Sequence, residues 1–478
     1  MTEPALGSET RPLRVAVVGS GPSAFYAVEA LFKVGGLRCR CDVFDRLPTP
    51  YGLVRGGVAP DHQKIKAVVK VYEKVAAEPG FRFFGNVTIG RDLSVADLEG
   101  CYDRVIWAVG NESDRKLGIS GEELAGVHSA TSFVGWYNGH PDHRHHRFGL
   151  ERCKRAVVVG NGNVAMDVTR VLLADPDLLA TTDITDDAVA ALRASSVAEV
   201  VLLGRRGAAQ AAFSTKEIEE IAELGNAELV VPQDEIALDP VSEAWLTAGA
   251  PRSAQRNLEF LREHAMHPPR GAKRRARTVF CASPVEVLGR DGRACGLRVE
   301  RNVLVADPDG TPRPQGTGKS FSIDCELVFA AVGYRGVPVP GLPFDEKSGT
   351  IPNASGRVLK ARGGEVLPRH YVVGWAKRGP SGLIGTNSPD SKATVESLVA
   401  DLAADPAAAH AAPLPEREAD AVPALLTQRG IDFVTFAEWR LYDTWEQLEG
   451  KRRNKVRHKL ADPAAILAVV REMRRAGS

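Results

Sequence analysis

Val15-Ala16-Val17-Val18-Gly19-Ser20-Gly21-Pro22-Ser23-Ala24 decides the fold. Four apolar, mostly β-branched residues read as a buried parallel strand. Gly19 and Gly21 permit a tight turn and close approach of a pyrophosphate to bare backbone, and Pro22 and Ser23 suit the first turn of a helix. That helix continues through Phe25-Tyr26-Ala27-Val28-Glu29-Ala30-Leu31-Phe32-Lys33. The pattern is GxGxxA, with Ala24 as the third small residue, and the helix N-terminus would face the pyrophosphate with its positive dipole end. A second strand, Cys41-Asp42-Val43-Phe44, ends in Asp45, 24 residues after Gly21. An acid there can accept hydrogen bonds from the ribose hydroxyls of an adenosine. The competing reading, a glycine turn in an unrelated α/β protein, leaves the placed acid unexplained.

A second turn of the same kind lies further on. Ala156-Val157-Val158-Val159 reads as a strand and Gly160-Asn161-Gly162-Asn163-Val164-Ala165 as GxGxxA. The next comparable strand, Glu199–Leu203, ends in Arg205 and Arg206 instead of an acid. Arginine forks hold a 2′-phosphate that a carboxylate would repel. The interval from Gly162 to Arg205 is 43 residues, longer than usual because of an inserted stretch from Ala174 to Ala198.

Composition bounds the rest. The 478 residues suggest two domains. They are 44% hydrophobic and 25% charged with net charge +1, so no global field points to nucleic acid, and no apolar run reaches the length of a membrane span. Residues 1–12 lack the apolar core of a signal peptide and are expected to be disordered, which with the thiols suggests a cytoplasmic protein. The seven cysteines form no CxxC pair. That removes the dithiol of flavin-type disulfide reductases and the spaced cysteines of iron–sulfur domains.

Between these marks, 46–62 reads as a rigid Pro/Gly loop placed to cover a cofactor. Lys64 to Ala77 reads as one amphipathic helix with lysines on its outer face, and 213–224 as a helix with Thr215 as N-cap. Residues 232–278 read as irregular, Val279 to Glu300 as a hairpin, 403–424 as a linker, and the end of the chain as two short helices.

Taken together, LPTPYGLVRGGVAPDH (47–62), FRFFGNV (81–87), GNGNVAMD (160–167), GRRG (204–207) and GWAKRGPSGLIGTN (374–387) resemble, in order, the signatures of adrenodoxin-reductase-like NADPH–ferredoxin reductases. The resemblance runs from about residue 13 to 400. It implies an α/β fold with two Rossmann-like dinucleotide-binding domains, the NADP domain (112–336) inserted into an FAD domain made of 1–111 and 337–478. It implies FAD contacts at Gly19, Gly21, Ser23, Asp45 (usually glutamate in the family), Leu53, Val87, Trp375, Gly382, Leu383 and Ile384. It implies NADP(H) contacts at Arg115, Asn161, Gly162, Asn163, Val164, Arg205, Arg206, Glu217 and Gly382, and it places His62 and Glu220 beside the nicotinamide. No metal is implied. Electrons would leave one at a time to an acidic ferredoxin, with a cytochrome P450 as one downstream consumer.

Three rival readings are weaker. A flavin monooxygenase fingerprint starting at Phe133 needs histidine at 139, where the chain has glycine. A reductase subunit like that of glutamate synthase needs cysteine clusters. A non-catalytic, redox-sensing flavoprotein is separated by whether NADPH bleaches the protein and whether cytochrome c reduction needs ferredoxin. For the acidic partner, candidate basic patches are Lys64, Lys66, Lys70 and Lys74, then Lys273 to Arg277, and the run 451–459, whose default reading is a solvated face.

Overall fold

The computed structural model describes residues 5–404 and 420–477. Leu13–Val18 is an inner strand of a seven-stranded sheet. It pairs in parallel with Cys39–Asp45 on one side and Arg104–Trp107 on the other. Phe81–Gly85 extends the first side and Val366–Val372 the second, both in parallel. Arg357–Leu359 and Asn353–Ala354 close the far edge antiparallel. The central strands are buried on both faces, which explains their unbroken apolar runs.

A second, six-stranded parallel sheet repeats this plan. Arg155–Val159 lies between Glu199–Leu203 and Leu327–Ala330. Arg274–Val279 and Ala227–Val230 continue one side, and Val127–Ser129 ends the other. In each sheet the strand preceding the glycine turn has its crossovers leaving to opposite sides, so a crevice opens at the carboxyl ends of the strands. A separate antiparallel sheet of Ala282–Arg290, Arg293–Ala306 and Pro312–Ile323 packs on the second sheet through Leu297, Val299 and Val287.

The C-terminal part is helical. Phe436–Arg452 opens with a capping box between Thr435 and Glu438. Its Trp439 and Tyr442, with Ile466 and Val470 of Pro463–Gly477, are buried in the core of the first sheet. Such side chains contribute ~1.5–3 kcal/mol each on burial, enough to hold the tail down. Trp439 meets the Tyr51 ring at 5.8 Å, and Tyr72 stacks on Phe25 at 4.8 Å. Val434 pairs with Gly85 by two backbone hydrogen bonds of 2.8 and 2.9 Å, capping the open edge of the first sheet.

Several local expectations are corrected. The Lys64–Ala77 helix is two short ones, Gln63–Lys66 and Val69–Ala76, because the backbone tightens between them: Val68, Lys70 and Val71 N–H donate three residues back, to Ile65, Ala67 and Val68; Lys66 turns inward while Ile65 and Ala67 face solvent. Ser214, not Thr215, is the N-cap of Thr215–Ala222, and the Thr215 hydroxyl instead donates to Asn257. Residues 232–278 are ordered, with helices Pro240–Thr247 and Arg252–Ala265 before strand Arg274–Val279. The Asp239 carboxylate caps the first of these helices by accepting from Val241 and Ser242 N–H. Val279 ends that parallel strand, and the hairpin that follows gains a third strand. The described tail holds three helices, Ala421–Gln428 included, and two of them are 17 and 15 residues long. Residues 5–12 form an ordered turn, with Gly7 N–H on the Arg11 carbonyl and Arg38 N–H on the Gly7 carbonyl, while 1–4 lie outside the described residues. Most of the 403–424 linker, 405–419, also lies outside them. All seven cysteines are free thiols. Among the described residues, no helix is long and apolar enough to cross a membrane.

Candidate functional site

At the first turn, Gly19 adopts φ +100°, and a Cβ there would run into the Ala108 carbonyl. Its N–H donates to the Phe44 carbonyl at 2.7 Å. Gly21 N-caps helix Pro22–Phe32 with no side-chain cap and no acid in the first turn. No atom lies within 4 Å of where its Cβ would stand. An uncapped, acid-free N-terminus beside open space is the cradle an anionic pyrophosphate needs. Asp45 is aimed at this turn. One carboxylate oxygen accepts from the N–H (3.1 Å) and hydroxyl of Ser20, the other from Leu47 N–H (2.9 Å). Burial pushes its carboxyl up, and those hydrogen bonds oppose the rise. The two oxygens keep lone-pair capacity for a ribose hydroxyl.

The remaining first-turn residues close round it. The Pro/Gly loop lies on the turn: Tyr51 N–H donates to the Ser20 carbonyl, and Gly52, at φ +49°, would place a Cβ 3.0 Å from Gly21 Cα. Leu53 then starts the short helix Leu53–Gly56. Val87, buried, donates its N–H to the Asp45 carbonyl at 2.9 Å. Ser23 packs against Gly374, just before Trp375, whose indole N–H donates to the Ser381 carbonyl at 3.2 Å. Gly382 follows at φ +80°, Leu383 is exposed, and Ile384 packs into the first core.

The second turn repeats the geometry. Gly160 sits at φ +144° against the Ala331 carbonyl, its N–H on the Leu203 carbonyl at 2.9 Å. Gly162 N-caps Asn163–Leu173 beside equally open space. Val164, half-buried, packs against the second core. Asn161 O accepts from Ala212 N–H, and Asn163 Oδ1 from Ser214 N–H, both at 2.8 Å. These bonds tie the turn to helix Thr215–Ala222, which carries Glu217 and Glu220. Past the next strand, the Arg205 carbonyl is held by Asn302 and the Arg206 carbonyl by Cys281 N–H. Among the described residues neither guanidinium pairs with a carboxylate, and Arg206 is lowered by burial and by the cations of Arg205 and Arg313. The two side chains concentrate positive charge at the end of this strand. Arg115 stands exposed at the connector between the sheets, its N–H on the Gly333 carbonyl. Among the described residues no hydrogen bond or ion pair joins it to the arginine pair.

The two turns are bridged by a buried polar cluster. His62 Nε2 lies 2.6 Å from Glu220 Oε2. Arg170, almost wholly buried, reaches Asp61 (2.7 Å), Asp167 (2.8 Å), Glu217 (3.2 Å) and Glu220 (3.4 Å). Burial and the neighbouring Asp167 push the Glu217 carboxyl up to about 7, while Arg170 and His62 oppose. His62, Glu217 and Glu220 offer donor atoms within 4.8 Å of one another, but the Arg170 guanidinium already supplies positive charge there. Sequence reasoning passed over Arg170, Asp61 and Asp167. The signal was present in Arg170, a charge on the apolar face of a helix whose Met166 and Leu173 are buried.

The basic segments divide. Lys64, Lys70 and Lys74 are exposed, whereas Lys66 is buried with Nζ 2.7 Å from Asp183. Lys273 and Arg277 are exposed beside the second sheet, and Arg275 pairs with Glu199 at 2.8 Å. The 451–459 run is only partly a solvated face: Lys451, Arg452, Arg453 and Asn454 are exposed, but the second half turns inward. Lys455 and Lys459 are buried, Lys455 on Asp186 at 2.7 Å and Lys459 on Asp183 at 2.8 Å, and Arg457 sits on Glu446 at 2.8 Å.

No protein-family model matches the chain. It is 44% identical over 463 residues to the NADPH-ferredoxin reductase FprA of Mycobacterium tuberculosis, covering 96% of this chain and 99% of that one. It is 38% identical over 471 residues to the mitochondrial NADPH:adrenodoxin oxidoreductase of Arabidopsis thaliana, covering 96% of each. The solved structure of M. tuberculosis FprA in complex with NADPH matches with a TM-score of 0.90 at 43% identity, over 96% of this chain and all of that one.

Proposed function

Because this chain belongs to the family of NADPH-ferredoxin and NADPH:adrenodoxin reductases, we propose that it carries electrons from NADPH through a bound FAD to a ferredoxin-type iron–sulfur protein. The observation that carries the reading is the 2.6 Å contact of His62 with Glu220. It joins the loop after one glycine turn to the helix tied to the other, so the reactive ends of two dinucleotides would meet there. When bound, the nicotinamide supplies a hydride to the flavin, which releases electrons singly to the acceptor. The chain's own residues bind, orient and exclude water.

The FAD domain takes 1–111 and 337–478, and the NADP(H) domain 112–336. Support comes from the second sheet drawing all its strands from 127–330 while the first draws from both sides of that interval. FAD rests on Gly19, Gly21, Ser23, Asp45, Leu53, Val87, Trp375 and the Gly382–Ile384 turn. NADP(H) rests on Arg115, Asn161–Val164, Arg205, Arg206, Glu217 and Gly382. The setting is cytoplasmic, and a cytochrome P450 is one consumer of the reduced ferredoxin. The test is direct: purified yellow protein is bleached by NADPH under anaerobic conditions and reduces cytochrome c only when ferredoxin is added.

His62 and Glu220 hold the nicotinamide in place; they do not act as acid and base, because hydride transfer itself needs no proton. His62→Gln and Glu220→Gln slow flavin reduction about tenfold, about 1.4 kcal/mol of barrier, with FAD content kept. Stopped-flow absorbance checks this. A loss of several orders of magnitude with a shifted pH profile contradicts positioning.

Lys64, Lys70 and Lys74 are the exposed charges that an acidic ferredoxin would meet, since their segment begins directly after His62. Lys70→Glu raises KM for ferredoxin about threefold at low salt, and the effect shrinks as ionic strength rises while ferricyanide reduction stays constant. Salt-independent ferredoxin turnover argues against docking there. Lys66 is removed from this patch: buried on Asp183, its reversal reports on folding.

A further inference from the structure

We propose that Asp183, gripped by Lys66 and Lys459, is a positioning residue that sets the His62 loop against the second dinucleotide unit; this rests on the reading of His62 and Glu220 above. Three segments far apart in sequence meet at its carboxylate. Lys66 lies in the short helix after His62, Asp183 in the loop before Asp186–Arg193, and Lys459 beyond the long helix Phe436–Arg452. Lys66 Nζ lies 2.8 and 2.7 Å from the two carboxylate oxygens and Lys459 Nζ 2.8 Å from one of them. The three side chains are 10%, 5% and 2% exposed for Lys66, Asp183 and Lys459.

The grip falls on both sides of the site. Gln63, next to His62, donates to Asp183 Oδ1 at 3.1 Å and to the Pro60 carbonyl at 2.7 Å. Lys459 also donates to the Arg55 carbonyl at 3.0 Å, and both lysines face Asn138 Oδ1. The tail is fixed to the same 181–186 loop by Lys455 on the Ile184 carbonyl (2.6 Å) and Val456 N–H on the Thr181 carbonyl (2.9 Å). At its other end, Arg457 and Arg55 share buried Glu446. The tail therefore reaches from the core of the first sheet to a loop of the second unit and holds the His62 loop between them.

Charge explains why ions stand here. Burial opposes the Asp183 carboxylate, but Lys459 and Lys66 outweigh it and hold its carboxyl below the usual range. Burial pulls both amines down, against the pull of Asp183. Well-packed apolar side chains commonly match such a cluster for stability, so its distinctive contribution is directional: it fixes one register of the loop. His62 is four residues from Lys66, and a displacement of about 1 Å near reacting groups can cost about 10²-fold in rate.

The experiment compares Lys459→Met and Lys66→Met with wild-type holoenzyme; each leaves one ammonium on Asp183. In hydrogen exchange without NADPH, the amides of Lys66 and Ala67, which bond to the His62 and Gln63 carbonyls, exchange about tenfold faster. The limiting rate of flavin reduction falls about tenfold while the NADPH Kd changes less than about twofold. Lys459→Arg restores both. Unchanged exchange and limiting rate in folded, flavin-loaded variants overturn the proposal. So does failure of both variants to fold or hold flavin, which makes the cluster a folding element. If wild-type flavin is not reduced by NADPH, the functional reading fails, and the exchange rates still decide whether the clasp holds the loop.

Discussion

Gly21→Val should yield a folded protein that purifies colourless. The two glycines of the first turn serve different purposes, and this substitution separates them. Gly19 is fixed by the protein itself: φ +100° and the Ala108 carbonyl leave no room for a side chain, so change there breaks the turn. Gly21 has an ordinary extended backbone, φ −77° and ψ −177°, and open space where its Cβ would project. Valine fits the apoprotein but fills the cradle at the helix N-terminus. Losing two hydrogen bonds to a charged pyrophosphate, at ~1.5–3 kcal/mol each, weakens FAD by roughly 10²–10⁴-fold. Flavin absorbance per polypeptide, circular dichroism and FAD titration together check this. A yellow, fully loaded variant moves the flavin elsewhere.

Arg205→Ala with Arg206→Ala should remove most of the preference for NADPH over NADH. Among the described residues no carboxylate pairs with either guanidinium, and a third cation, Arg313, is felt at Arg206, so like charges repel there and an anion would relieve them. A 2′-phosphate relieves that repulsion and takes charge-assisted bonds of ~1.5–3 kcal/mol, roughly 10–150-fold in affinity per arginine. Each single variant should raise KM for NADPH in that range, and the double variant approximately multiply the two. NADH, which lacks the phosphate, should be nearly unaffected. Steady-state kinetics with both coenzymes, and binding of 2′-AMP against 5′-AMP, measure it. Equal losses for both coenzymes assign the arginines to structure.

What could be read from the sequence was what is local. The strand, Gly19, Gly21 and the helix after them lie within about twenty residues, and Asp45 and the Arg205-Arg206 pair end the next strands of their units. Each signal is set by backbone geometry that neighbouring residues determine. What failed was settled across the chain. Periodicity placed Lys66 on a polar face, but its partner Asp183 is 117 residues away. Within the 451–459 run Lys455 looked solvated because its receiving surface, the Ile184 carbonyl and Asp186, lies about 270 residues earlier. Residues 232–278 carry helix starts such as Asp239-Pro240, but their long polar faces hid the few positions, Leu258 and Leu261, that reach the core. The Arg170 cluster is a fourth case: around one buried cation, Asp61 and the pair Glu217 and Glu220 come from two distant segments to join Asp167 of its own helix.

The pairing of Val434 with Gly85 has a consequence for how the chain is made. Synthesis runs from the N-terminus, so Phe81–Gly85, with its aromatic residues, leaves the ribosome some 350 residues before the segment that caps its edge. Val366–Val372, which completes the other flank, is also late. The second sheet draws every strand from one continuous stretch, 127–330, and can close as soon as that stretch has emerged. The nascent chain thus carries a finished inner unit beside a half-built outer one with a bare, apolar strand edge, the kind of surface that recruits chaperones or pairs with a neighbouring polysome product. Release of a chain cut short before Val434 leaves that edge exposed for good. Premature termination shortly before Val434 therefore produces an aggregation seed even though both glycine turns are already in place.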